Sequence, residues 1–189
     1  FNGCIYNYVE LARDLQNKGH RFKTNCDTEV IVHAYEEYGA DCVKHFIGMF
    51  SFVIWDETKK RLFCARDRMG VKPFYYTYFN DTFIFASEIK AILSTQKIIK
   101  RVNFKSLQEY LVFQTVLGDK TLFDGIYKLP PGCVMMVDGE SGPQPPVPYW
   151  DLNFQMDHDH SEDYFVEQLR SLITDAISIR LRSDVRLGA

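Results

Sequence analysis

At 189 residues and a net charge of −3, the chain is long enough for one substantial core and carries no basic excess of the kind that nucleic-acid binding requires. Hydrophobic residues make up 46% and charged residues 25%, a balance that excludes a disordered chain, and no apolar run reaches the roughly 20 residues that span a bilayer. The five cysteines (Cys4, Cys26, Cys42, Cys64 and Cys133) are odd in number, irregularly spaced and without a Cys-x-x-Cys pair, as expected of reduced thiols in a cytoplasmic protein.

The chain opens on Asn2-Gly3 ahead of a strand-like Cys4-Ile5-Tyr6. Asn7 with Glu10 fits a capping box, and Tyr8, Leu11, Ala12 and Leu15 repeat at helical spacing until Gly19 stops the helix. Residues 21–24 predict a short strand. Ile31, Ala34, Tyr35 and Tyr38 mark a second helix that ends at Gly39. The period then changes. Residues 49–55, 61–66, 73–79 and 82–86 are aromatic and β-branched runs separated by turns too short for crossover helices, so neighbours should pair antiparallel. In 49–55 both alternating sets are apolar, which requires cover on both faces and implies a layered sandwich. Short helices follow at 88–93 and 104–112, then a strand at 133–137. Four prolines within residues 141–148 predict a break, and a domain boundary is drawn there: 1–148, then a linker and first helix of a second domain in 149–189. That last helix should start near Ser161 with a stripe of Phe165, Leu169, Leu172, Ile173, Ala176 and Ile177.

Four features could carry chemistry. The Asn2 amide and the Gly3 backbone N–H could act as paired donors to an oxyanion, against the plainer reading of an Asn-Gly turn. Asp27 either caps the second helix or pairs with a substrate ammonium group. His158-Asp159-His160 reads as solvated linker rather than a metal cage, and no metal site is expected. The run Arg66-Asp67-Arg68-Met69-Gly70-Val71-Lys72-Pro73 is a solvated turn or an internal Arg–Asp brace.

The ordered motifs say more. Asn2-Gly3-Cys4-Ile5-Tyr6-Asn7 resembles the N-G-E-I-Y-N segment of glutamine-hydrolysing asparagine synthetases, and Cys26-Asp27-Thr28-Glu29-Val30-Ile31 resembles their S-D-T-E-V-I. Gly48-Met49-Phe50-Ser51-Phe52, Ala65-Arg66-Asp67-Arg68 with Gly70, Lys72 and Pro73, Phe85-Ala86-Ser87-Glu88-Ile89-Lys90-Ala91, Lys128-Leu129-Pro130-Pro131-Gly132 and Tyr149-Trp150 are similar to family motifs in the same order. Arg182-Ser183-Asp184-Val185 with Gly188 resembles the strand that leads into the synthetase nucleotide loop. The resemblance implies an α+β fold, a four-layer α/β/β/α sandwich of two mainly antiparallel sheets of the N-terminal-nucleophile hydrolase type. It implies a glutaminase site that releases ammonia from glutamine, and a second domain that uses ATP and Mg²⁺ to activate aspartate. No cofactor is expected in the glutaminase domain. Glutamine is its expected ligand, with aspartate and ATP reached through the other domain; no nucleic acid and no membrane are expected, and a homodimer is among the assemblies expected.

By the same resemblance, Asn2 and Gly3 supply the oxyanion hole, and Asp27, with Asn2, Gly3 and Cys4, binds glutamine. The family nucleophile is a cysteine at the very N-terminus, where this chain has Phe1, so the chain by itself is expected to release no ammonia. Two departures stand out. Cys4 occupies the position of a family Glu that helps hold the substrate amino group, and Cys26 replaces a Ser. A normally neutral thiol removes an ion pair there, which also admits a degenerate glutamine-binding module or scaffold.

Overall fold

The computed structural model describes residues 1–182. Two antiparallel sheets lie at its centre. The larger has the order β1 (Asn2–Ile5), β2 (Gly48–Asp56), β3 (Arg61–Arg66), β7 (Cys133–Asp138) and β8 (Gly142–Pro143), with β9 (Val147–Pro148) also paired to β7. The smaller has the order β5 (Thr82–Ala86), β4 (Tyr75–Phe79) and β6 (Tyr127–Lys128).

Alternation along β2 explains the layering. Phe50 and Phe52 face helices α1 (Tyr8–Asn17) and α2 (Asp27–Tyr38), and pack with Ile5, Leu11, Leu15, Val30, Ile31, Phe46 and Phe63 in the outer core. Phe46, Phe50 and Phe63 are almost fully buried, and each such side chain contributes roughly 1.5–3 kcal/mol. Val53, from the other face of β2, joins Leu62 and Phe83 around Cys64, Phe74, Tyr76, Leu129 and Met135 between the two sheets. The short helix α3 (Cys42–His45) adds buried Cys42 and Val43 to the outer core, and α4 (Ile89–Ser94) packs on β4 and β5 through buried Ile92. The fold is therefore α+β, with two mainly antiparallel sheets between helices.

Several local expectations give way to tertiary partners. Asn7 precedes α1 but makes no cap; its amide donates to the His45 carbonyl and accepts from the Ile47 N–H, tying the start of α1 to β2. Residues 21–24 are not a strand, because Glu29 clasps them instead. Its carboxylate accepts from the N–H groups of Lys23 (2.8 Å) and Thr24 (2.7 Å) and from the Thr24 hydroxyl. The proline-rich run does not break the sheet. Pro143 and Pro148 sit opposite Val137 and Cys133 on short outer strands, where a missing N–H costs least. The charged run after β3 is internal, yet it holds no Arg–Asp ion pair. The Asp67 carboxylate, 1% exposed, accepts from the N–H groups of Phe50, Met69, Val71 and Lys72. The Arg66 guanidinium donates to the carbonyls of Lys72, Leu129 and Gly70. Each charge thus braces backbone on its own.

Helix α5 (Phe104–Phe113) begins at an Asn103 cap, 3.1 Å from the Ser106 N–H. Helix α6 (Glu162–Arg180) begins at the expected Ser161, whose hydroxyl accepts from the Tyr164 N–H. Its stripe of Phe165, Leu169, Leu172, Ile173 and Ile177 is exposed among the described residues. His158 and Asp159 are exposed, and His160 pairs with Asp157 at 2.9 Å. Of the motif Arg182-Ser183-Asp184-Val185 with Gly188, all but Arg182 lies outside the described residues.

Candidate active site

Strand β1 runs along the edge of the larger sheet, in register Asn2↔Ser51, Gly3↔Phe50, Cys4↔Met49 and Ile5↔Gly48. Two glycines let it lie unusually close to β2. A Cβ on Gly3 would meet the Met49 carbonyl oxygen at 2.1 Å, and one on Gly48 would meet the Cys4 carbonyl oxygen at 2.2 Å. Gly3 also has φ +149°, a conformation that side-chain-bearing residues rarely adopt.

Backbone alternation assigns the free edge. The Tyr6 N–H donates to the Ile47 carbonyl, toward β2, whereas the Ile5 N–H donates at 2.9 Å to Oδ2 of Asp27, away from β2. In an antiparallel strand these directions repeat every second residue, so the Gly3 N–H faces the same outer edge as the Ile5 N–H. The two lie roughly 7 Å apart at the usual rise. Asp27 is the first residue of α2, whose cap position belongs to Cys26. Its carboxylate does not cap the helix; it reaches across to β1, and Oδ1 accepts from the Cys26 thiol at 3.5 Å.

A groove of about 650 Å³ opens beside this edge, lined by Gly3, Cys4, Tyr8, Thr24, Asn25, Cys26, Asp27 and Arg182. Burial, and then the Asp27 charge, push the Cys4 thiol up from its ordinary pKa, while the Lys72 ammonium pulls weakly the other way. Cys4 is accordingly a neutral thiol at physiological pH. Asn2 stands apart from these three. Its amide Nδ2 donates to the Ser87 hydroxyl at 3.2 Å, and it lines a neighbouring hollow with Ser51, Pro73, Phe85 and Ser87. An amide carries two N–H groups, so one remains for another acceptor.

The site residues read from the sequence therefore gather on one strand edge, with Gly3, Cys4 and Asp27 in one groove and Asn2 at its neighbour. Sequence reasoning placed Ser87, Lys72 and Arg182 in motifs but gave them no role in the site. Arg182 donates to the Tyr6 carbonyl and to both carboxylate oxygens of Glu10 at the rim of the groove. Their motifs do not say that they meet β1; each is brought there by the chain's return from a distant element.

The family model of the glutamine amidotransferase domain matches residues 1–150. The chain belongs to this family. Over 188 residues the amidotransferase chain is 40% identical to asparagine synthetase (glutamine-hydrolysing) 3 of Bacillus subtilis, covering 98% of this chain and 30% of that protein. It is 38% identical to asparagine synthetase 1 of the same organism over 191 residues, covering 100% of the chain and 29% of the relative. Amidase chry2 of Gibberella zeae is 31% identical over 191 residues, with 97% and 27% covered. The chain thus spans about a third or less of the length of these relatives. Among solved structures, glutamine phosphoribosylpyrophosphate amidotransferase from B. subtilis superposes with a TM-score of 0.51 at 21% identity, covering 76% of this chain and 27% of that one. That likeness shows a shared fold. No helix of the described residues is long and apolar enough to cross a membrane.

Proposed function

We propose that this amidotransferase domain binds glutamine along the outer edge of β1 and hydrolyses it to glutamate, with the ammonia passing to aspartate activated by ATP and Mg²⁺ in another part of the same protein. The observation that carries the reading is the hydrogen bond from the Ile5 N–H to Asp27, which fixes a carboxylate on the edge toward which the Gly3 N–H points. An extended amino acid with an amide at one end and an ammonium group at the other fits such a pair of groups. The Asp27 oxygens keep lone pairs for the α-ammonium. The Gly3 N–H and the second Asn2 N–H would stabilise the oxyanion formed when a nucleophile attacks the side-chain amide. Aspartate as acceptor, and ATP with Mg²⁺, rest on the resemblance to glutamine-hydrolysing asparagine synthetases alone. The free thiols suit the cytoplasm.

Cys4 favours a second reading. Where the resembling family has a carboxylate, this groove holds a neutral thiol and one negative charge fewer, as a domain that binds glutamine without hydrolysing it would tolerate. Ammonia release by the complete protein separates the two. Hydrolysis requires that Asp27→Asn raise KM for glutamine by about 10-fold or more, the loss of one charged partner, and that Asn2→Ala lower kcat by roughly 10²–10³. An unchanged KM in Asp27→Asn would refute the assignment of the groove. Calorimetric glutamine binding with no ammonia release would replace hydrolysis by the binding module.

A further inference from the structure

Away from the β1 edge, two histidines and a carboxylate meet. His20 lies in the connection between α1 and α2, and His33 and Glu36 lie one turn apart on α2. His20 Nδ1 is 3.3 Å from His33 Nδ1, His33 Nδ1 is 2.9 Å from Glu36 Oε2, and His20 Nδ1 is 3.6 Å from the same oxygen. Three donor atoms bound to one tetrahedral Zn²⁺ at its usual bond lengths stand about 3.3 Å from one another. The observed triangle has that size.

The other ring nitrogens point outward to carboxylates. His20 Nε2 is 3.3 Å from Glu37 Oε2, and His33 Nε2 faces Glu29 Oε1 at 3.6 Å. Ligating histidines usually present their second nitrogen to a carboxylate in this way, which fixes the tautomer and aims the lone pair of the first nitrogen inward. With both Nε2 atoms carrying the proton, two Nδ1 lone pairs and a carboxylate oxygen converge with no hydrogen among them. A proton on one Nδ1 can be donated to the other Nδ1 or to Glu36, but not to both at once. A cation satisfies all three at once. The ring of Phe22 packs on His33 with centroids 4.4 Å apart and shields one side. The histidine side chains are only 15% and 17% exposed, and Glu36 is 56% exposed, so the pocket is sheltered yet open to entry.

We propose that His20, His33 and Glu36 bind a single divalent transition-metal ion of the zinc class, which fastens the connection between α1 and α2 onto α2. Two imidazoles and one carboxylate suit Zn²⁺ better than Ca²⁺ or Mg²⁺, which take oxygen ligands. A water completes the four-coordinate shell. The ion acts on the groove through Glu29, which faces the His33 ring and also holds the N–H groups of Lys23 and Thr24. Thr24, Asn25 and Cys26 continue from there into the lining beside Asp27. In that position the ion sets the placement of a binding loop.

Titration of the untagged, metal-stripped complete protein with Zn²⁺, and in parallel with Co²⁺ followed by visible absorption, tests this. One equivalent of Zn²⁺ should bind, and Co²⁺ should give the intense bands of a four-coordinate site. His20→Asn should weaken binding by about 100-fold or more, and Glu37→Gln by about 10-fold. The pair His158→Asn and His160→Asn should leave binding unchanged. Glu36→Gln, at an exposed side chain, removes a ligand without disturbing packing, should a histidine variant fail to fold. Absence of stoichiometric Zn²⁺ binding in the unmodified protein overturns the proposal, and so does binding that persists in both His20→Asn and Glu36→Gln.

Discussion

Ser87 is 85 residues from Asn2 in the chain, yet its hydroxyl takes a hydrogen bond from the Asn2 amide. It follows β5 on the smaller sheet, while Asn2 belongs to the larger, so the contact aligns one sheet's edge against the other's. If the Asn2 amide stabilises an oxyanion, Ser87 is a positioning residue: it holds one N–H so that the second keeps its aim. Ser87→Ala removes one neutral hydrogen bond, worth about 1 kcal/mol. We expect kcat for glutamine hydrolysis to fall about 5-fold with KM unchanged, and Ser87→Thr, which keeps the hydroxyl, to restore it. A larger KM with unaltered kcat would mean that Ser87 serves glutamine binding instead. Gly3 makes the opposite demand on its position. There the backbone itself must approach Met49, and no side chain fits.

At the scale of elements, the turn into α2 depends on Glu29. The Thr24 hydroxyl first, and then the N–H groups of Lys23 and Thr24, hold its carboxyl down at a pKa of about 2. A folded-state pKa below the unfolded one means that the clasp contributes above the ordinary carboxylate range and is lost as pH falls from about 4.5 through about 2. Amide exchange at Lys23 and Thr24 should therefore accelerate across that window, beyond its intrinsic pH dependence, and Glu29→Gln should abolish the acceleration. Exchange that stays slow at pH 2 would show that another contact holds the turn. This clasp also explains one limit of sequence reading. Residues 21–24 look extended, but their N–H groups go to a carboxylate on the next helix rather than to a neighbouring strand. The two large helices and the strands β2 to β5 were legible because hydrophobic period and short turns are local. Gly19 and Gly39 punctuate the helices as expected. The outer strands β8 and β9 were not legible, because proline composition reports the absent N–H and not the position on a sheet edge that tolerates it. In the candidate site, Asn2, Gly3, Cys4 and Asp27 were singled out from the sequence. His20 and His33, thirteen residues apart across a turn, gave no pattern except the Glu29, His33, Glu36 and Glu37 spacing on one helix.

Across the whole molecule, the two cores and the Arg66 and Asp67 braces are all closed by the first 150 residues. Tyr149 and Trp150 are the last such ties: the Tyr149 hydroxyl donates to the Arg66 carbonyl at 3.0 Å, and the N–H groups of Tyr149 (2.8 Å) and Trp150 (3.4 Å) both donate to the Gly132 carbonyl. Beyond Trp150 the chain runs exposed into α6, which buries no side chain. Among the described residues, what the segment after Trp150 returns to the domain is small: the Arg182 guanidinium on Glu10 and on the Tyr6 carbonyl, and Arg180 over the Tyr6 ring at 4.9 Å from its centroid. Partly exposed ion pairs of this kind are worth about 0–1 kcal/mol, and an exposed cation–π contact about 0.5–1 kcal/mol. A chain ending at Trp150 should therefore unfold cooperatively in urea, with a stability no more than about 3 kcal/mol below that of the longer chain. Fluorescence of Trp55 and Trp150, both retained, reports the transition. If the shortened chain lost its cooperative transition, the exposed stripe of α6 would have to be counted as part of the domain's own core.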